Sequence, residues 1–293
     1  MDVLVFGGTR YFGVHLVNEL IKKGYHVTIA TRGMTPDSFG TSVERIHVDR
    51  YDTNQLKDIF KDKEFDIVYD NLAYSSQDIE TLFNSLHCHR YILTSSNAVY
   101  PFQLNTNEDD FIAAQHVLKM GVRRSFSYDE GKRQAESAIV QLHPQQKTTR
   151  VRFPVVLGRD DYTKRLYFYV EHIFKGVPMY IDEFTTSFNF ISSHDAGAFL
   201  AYLSDKDIFE AINACSPQSI TLQEIFDYIE DHTGKKAIIT SDGDKAPFND
   251  IQSHSLNVKK AQDIGFHFTP LSDWLFPLID FYICQVSKDE HNI

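Results

Sequence analysis

The chain has 293 residues, 42 % of them hydrophobic, and a formal net charge of −11. A chain of this length buries about three quarters of its unfolded surface, so it can build a sizeable core without disulfide or metal staples. The acidic balance argues against a broad nucleic-acid or anionic-membrane surface, and no apolar run reaches the length of a membrane span.

The first strand, Val3-Leu4-Val5-Phe6, runs into the turn Gly7-Gly8-Thr9-Arg10-Tyr11-Phe12-Gly13. A helix follows, apolar at Val14, Leu16, Val17, Leu20 and Ile21. A strand, a glycine-rich turn and a helix in this order form a dinucleotide site: Gly7 permits the tight turn, Gly13 lets helix and strand pack closely, and the helix N-terminus faces a pyrophosphate. The middle glycine of the usual fingerprint is replaced by Arg10, whose guanidinium is expected over the cofactor phosphates. The second strand, 25–30, ends in Thr31-Arg32-Gly33, with no acid between Gly24 and Asp37. An NAD site places a carboxylate there for the ribose 2′-hydroxyl, whereas arginine accommodates a 2′-phosphate, so NADP is expected over NAD. Asp49 closes the third strand, placed either to meet the adenine amino group or as a turn residue. Asn71, Ala73 and Tyr74 follow the fourth strand, where a cofactor would pass.

His87-Cys88-His89 lacks a second ligand pair, so no metal is expected. Cys88, Cys215 and Cys284 are odd in number and share no short spacing, which fits a reducing compartment. Met1 leads directly into the first strand, leaving no room for a signal peptide, so a cytoplasmic address is expected. The fifth strand ends in Tyr91-Ile92-Leu93-Thr94-Ser95-Ser96-Asn97-Ala98-Val99-Tyr100, and Tyr128-Asp129-Glu130-Gly131-Lys132 opens a long helix. The sixth strand ends at Phe153, followed by Pro154 and Val155, both candidates for the cofactor wall.

Alternating strands and helices over 1–155 imply a doubly wound parallel sheet, an α/β Rossmann arrangement. Segments at about 188–214 read as a return to that sheet. The stretches 156–187 and 215–293 read as a smaller α/β substrate cap, with an aromatic helix at 162–174 and helices near 222–231 and 274–282. Tyr162, Tyr169 and His172 are candidates for the substrate side, and 241–250 for a lid or loop. Ligands are expected at the carboxyl ends of the strands.

Residues i and i+4 share a helix face, so Lys132 can sit beside the Tyr128 phenol and, with a nicotinamide ring, favour its ionised form. Ser96 would hydrogen-bond the substrate oxygen. A second Tyr-x-x-x-Lys, Tyr202 to Lys206, has no serine strand before it. The chain resembles the extended short-chain dehydrogenase/reductases of the epimerase/dehydratase type. The resemblance rests on the Gly-Gly-Thr turn, on Ser95 to Tyr100, on Tyr128 with Lys132, and on the stretches 152–158 and 190–196 with Asn213. It implies that Tyr128 is the acid/base, that Lys132 binds the nicotinamide ribose, that Ser96 polarises the substrate and that the protein is a homodimer. The Arg10 variant resembles a subset that includes relatives of chloroplast stem-loop-binding proteins. In sugar-nucleotide members a basic residue just before the 190–196 stretch grips the diphosphate. Phe188 stands there, and no lysine or arginine occurs between Lys175 and Lys206, leaving only Lys164 or Arg165 as substitutes.

Two functional readings follow. One is an NAD(P)-dependent oxidoreductase or epimerase/dehydratase-like enzyme using Ser96, Tyr128 and Lys132 on a polar carbonyl, alcohol or sugar-derived substrate. The other is a non-catalytic NADP-sensing or RNA-binding protein on the same fold, although the acidic charge disfavours a nucleic-acid partner.

Overall fold

Val3, Leu4, Val5 and Phe6 are all buried, as a central strand covered on both faces requires. The computed structural model describes residues 1–291. Its first half alternates: β1 (Asp2–Phe6), α1 (Phe12–Lys22), β2 (His26–Thr31), β3 (Val43–His47), α2 (Thr53–Phe60), β4 (Glu64–Asp70), α3 (Ser76–Phe83), β5 (His87–Ser96), α4 (Tyr128–Leu142) and β6 (Lys147–Phe153). Then come β7 (Val155–Leu157), α5 (Arg165–Lys175), β8 (Met179–Tyr180), β9 (Ser187–Phe188), β10 (Phe190–Ser192), α6 (Ser193–Tyr202) and β11 (Ala211–Asn213). The chain ends with β12 (Ile220–Thr221), α7 (Leu222–Thr233), β13 (Asp244–Lys245), α8 (Lys259–Asp263) and α9 (Leu271–His291).

Seven strands form the main sheet in the order β11-β6-β5-β4-β1-β2-β3, and every neighbouring pair is parallel. This is the doubly wound α/β arrangement. The chain leaves β3 at one edge and re-enters beside β1 as β4, so the strand order reverses between β1 and β4. Loops from the two halves part there, opening a crevice at the carboxyl ends of the strands. Helices α1 and α6 cover one face, with Gly197 lying so close to α1 that a Cβ would meet His15 Cβ at 2.5 Å. Apolar residues of α2, α3 and α4 pack on the other face. A separate aromatic-rich cluster, including Tyr169, Phe188, Phe190, Phe226 and Phe248, is built from α5, α7, α9 and the short strands near them.

Several elements differ from expectation. The aromatic helix begins at Arg165 because Asp161 holds the preceding loop, accepting from the Thr163 backbone (2.9 Å) and hydroxyl (2.5 Å). The C-terminal helix runs on through Pro277 to His291. Segment 241–250 is no free lid: Ala246 and Phe248 are buried, and the Asn249 amide donates to Tyr180 O at 2.8 Å. Among the described residues no helix is long and apolar enough to cross a membrane.

Candidate active site

The turn after β1 is made by backbone geometry. Gly7 has φ +79°, and a Cβ on Gly13 would lie 2.1 Å from Gly7 O, so only glycine allows the helix to start this close to the strand. Tyr11, the residue before α1, holds φ 56° and caps nothing with its side chain. A non-glycine residue in this region stores about 1–3 kcal/mol of strain, and the open first turn of the helix faces a groove of about 620 Å³. Gly7, Thr9, Arg10, Tyr11, Phe12, Thr31, Arg32, Asp49 and Asn71 all line it. Gly8 and Gly13 lie behind the wall, as does Ala73, all three buried. Arg10 donates Nε to Thr35 Oγ1 at 3.0 Å, Arg32 is exposed, and the Asp49 carboxylate accepts from the Tyr51 backbone at 2.9 Å. The cradle that a Cβ would fill, together with two arginines at its rim, fits the adenosine diphosphate portion of a dinucleotide.

A second cavity of about 830 Å³ adjoins the first, with Tyr11, Phe12, Asn71, Tyr74, Arg123 and Tyr162 shared between them. Ser96, Tyr128 and Lys132 meet here, with Pro154 and Val155 on the wall. The two neighbouring serines of β5 are distinguished by their partners. Ser95 donates to Glu136 Oε1 at 2.6 Å, so its hydroxyl is committed. Ser96 makes local bonds, to Asn97 Oδ1 at 3.3 Å and from Ala98 N at 3.2 Å, and its hydroxyl also faces the Tyr128 phenol.

Lys132 is almost wholly buried. Its Nζ donates to Ala73 O and Thr94 O, each at 2.9 Å, and stands 4.1 Å from the Tyr74 ring centroid. Burial brings its pKa down to about 8, with the Asp70 and Glu136 carboxylates resisting the fall. Tyr128 is 54 % exposed, but it stands on a concave wall where protein replaces much of the surrounding water. Desolvation raises its pKa above the ordinary phenol value, and the Ser96 hydroxyl and the Arg165 and Arg123 charges oppose that rise. Arg165 and Arg123 are thus two cations near the phenol that the i, i+4 spacing did not point to. The other Tyr-x-x-x-Lys pair is instead in contact: Lys206 Nζ lies 4.4 Å from the Tyr202 ring centroid, yet neither residue lines the crevice.

Sequence reasoning missed one residue, Arg123, and named Tyr74 and Arg165 without foreseeing their surroundings. Tyr74 lies between two cations, with Arg123 4.2 Å from its ring centroid on one side and Lys132 on the other. Arg123 lies in the irregular stretch between β5 and α4, where no periodicity flags it. Arg165 lines the cavity while Lys164 is exposed beside the Tyr167 ring. Of the aromatic candidates Tyr162 does line the cleft. Tyr169 and His172 belong to the core instead: the Tyr169 hydroxyl accepts from Phe248 N at 3.0 Å, and His172 stacks on Phe168 at 3.7 Å.

The fold is of the doubly wound α/β class, with two adjoining cavities lined by residues of its strand ends. Residues 3–85 match the model of the NAD dependent epimerase/dehydratase family. The chain is 30 % identical over 112 residues to the chloroplast stem-loop binding protein of 41 kDa b of Arabidopsis thaliana, a match covering 33 % of this chain and 30 % of that one. Among solved structures, it is similar to the UDP-glucose 4-epimerase of Thermotoga maritima with UDP-glucose (TM-score 0.75, 16 % identity, covering 98 % and 100 % of the two chains). It is also similar to the UDP-glucuronic acid 4-epimerase of Bacillus cereus in complex with NAD (TM-score 0.71, 19 % identity, covering 96 % of each).

Proposed function

We propose that the chain is an NADP-dependent oxidoreductase or epimerase of the extended short-chain type, acting on a polar carbonyl or alcohol. The observation that carries this reading is the meeting of Ser96, Tyr128 and Lys132 in a cavity continuous with the glycine-turn groove. Residues 1–155, with the return at 188–214, would hold the cofactor, and 156–187 with 215–293 would cap the substrate. When bound, a nicotinamide dinucleotide supplies hydride chemistry. Gly7, Thr9 and Arg10 would hold its diphosphate, Asp49 its adenine, Arg32 a 2′-phosphate and Lys132 its ribose.

Ser96 would donate to the substrate oxygen and hold the reacting carbon in place. Tyr128, its pKa raised by desolvation, keeps its proton at neutral pH. It is therefore ready to donate that proton to an oxygen gaining negative charge, a role worth about 10²–10⁴-fold in rate. The structural neighbours solved with UDP-glucose and with NAD support a sugar-derived substrate and leave NAD as the competing cofactor. A homodimer and a cytoplasmic address belong to the same proposal.

The test is side-by-side titration with NADPH and NADH, followed by turnover of a Tyr128→Phe variant. NADPH is expected to bind at least about tenfold tighter, near 1.4 kcal/mol, and the variant to bind it normally with turnover reduced by about 10²-fold or more. Unchanged turnover would sink the assignment. The named role of the Arabidopsis relative favours one second reading, RNA binding on the same fold. RNA affinity that falls steeply with salt, in a protein that does not turn over, would support it.

A further inference from the structure

The substrate cavity has a charge opposite to that of the chain. Its walls carry Arg123, Lys132, Arg133 and Arg165 against one carboxylate, Asp129, in a molecule of net charge −11. These cations are not equivalent. Arg133 is tied down by Asp129 (2.9 Å), Glu130 (3.3 Å) and the carbonyls of Val99 and Ala98. Lys132 is held by two carbonyls, as described above. Arg123 and Arg165 are different. Arg123 stacks on Tyr74, Arg165 donates only Nε, to Thr163 Oγ1 at 3.1 Å, and neither forms an ion pair with a carboxylate among the described residues. Both charges act on the Tyr128 phenol, which places them close to the reacting centre.

The rest of the cavity offers no second anion grip. Its cap side is formed by Ile251, His254 and Leu256, with Phe102 beside them, and burial keeps His254 toward its neutral form. Phe188, where a further cation could have stood, is sealed in a ring cluster 5.8 Å from Phe190 and 5.3 Å from Phe248. The space of about 830 Å³ must also admit the reactive end of the cofactor, which leaves room for a small molecule.

Building on the function proposed above, we infer that the substrate is a compact anion, a hydroxy or oxo compound bearing one carboxylate or phosphate group. Arg165, assisted by Arg123, grips that group within a side chain's length of the carbon facing Ser96 and Tyr128. A guanidinium presents paired donors in a plane that matches either oxyacid, and low-dielectric walls concentrate the field that draws it in. Arg165 is on this reading a specificity residue for the proposed reaction.

The test is calorimetry on the whole protein saturated with NADPH, which fills the cofactor's own anion sites. The probes are gluconate, inorganic phosphate, glucose and UDP. Gluconate or phosphate should bind and glucose should not, and whichever of the two binds tighter identifies the oxyacid. Arg165→Gln should weaken that binding at least tenfold while leaving NADPH affinity within twofold, and Arg165→Lys should recover part of it. Arg123→Gln provides an independent variant if Arg165→Gln misfolds. Anion binding unaffected by both variants, glucose binding equal to gluconate, or UDP binding tighter than either compact anion overturns the inference. A Tyr128→Phe protein that binds the anion and still turns over breaks the functional reading and leaves the anion site standing.

Discussion

Two arginine environments in this molecule show opposite designs. Below the site, Arg152 is 1 % exposed and uses every donor it has. It reaches Glu136 through Nε (3.0 Å) and Nη2 (2.7 Å), Tyr100 Oη and Glu108 O through Nη1 (both 2.7 Å), and Phe111 O through Nη2 (3.1 Å). In the crevice, Arg32, Arg123 and Arg165 line cavities and have no carboxylate partner among the described residues. A buried charge with all its hydrogen bonds made belongs to the architecture, because removing one partner leaves the other uncompensated. An accessible charge left without a counterion at a cavity wall contributes little to the fold and remains available to a ligand.

The comparison breaks most visibly at Glu136. Replacing it by Gln leaves Arg152 charged and buried, and should lower unfolding free energy by about 3–5 kcal/mol in denaturant titration. Glu136 also has a pH signature. Its pKa is lowered because Arg152, Arg150 and Ser95 outweigh the burial that opposes them. The stability it contributes is therefore fully present above the unfolded carboxylate value near 4.5 and is lost as pH falls through the depressed native value. In Glu136→Gln, thermal melts below pH 4.5 should show that share of the acid sensitivity removed.

Smaller effects are expected from the crevice arginines, and in binding more than in stability. Arg32→Ser should shift the NADPH-to-NADH affinity ratio toward NADH by about tenfold, near 1.4 kcal/mol, measured by paired titrations. Arg165→Gln should change unfolding free energy by no more than about 0.5 kcal/mol, as for substitutions away from any packed network. A loss of several kcal/mol would move Arg165 into the same class as Arg152. The smallest effect is at the exposed Lys245–Asp250 pair (2.6 Å), where Lys245→Ala should cost about 0–1 kcal/mol by denaturant titration.

Much of the fold of the first half was legible because local chemistry dictates it. The Gly7 to Gly13 turn admits few other residues, and the apolar run from Val3 to Phe6 announces a strand covered on both faces. Ser96 and Tyr128 could be paired because each sits at the end of a regular element whose direction the pattern reveals. The cations around the phenol were legible only in part: Lys132 was named, Arg165 was one of two alternatives, and Arg123 was not named. Arg123 lies in a stretch without periodicity, and Arg165 reaches the cleft only through the turn that Asp161 holds. Tyr169 and His172 misled because an aromatic stripe at helical spacing reads alike whether it faces a ligand or the core.

The last strand of the main sheet has a consequence for how the molecule is made. β11 docks on β6 and brings Asn213, whose Oδ1 accepts from Tyr100 Oη at 2.7 Å and whose Nδ2 donates to Asn257 O at 3.2 Å. The floor beneath Ser96 therefore stays incomplete until chain far downstream has been synthesised and returned. Parallel pairing across such separations is slow, since loop closure comes before any reward. A nascent chain stopped before residue 211 would expose the open edge of β6, the kind of unpaired strand that invites another chain to add to it.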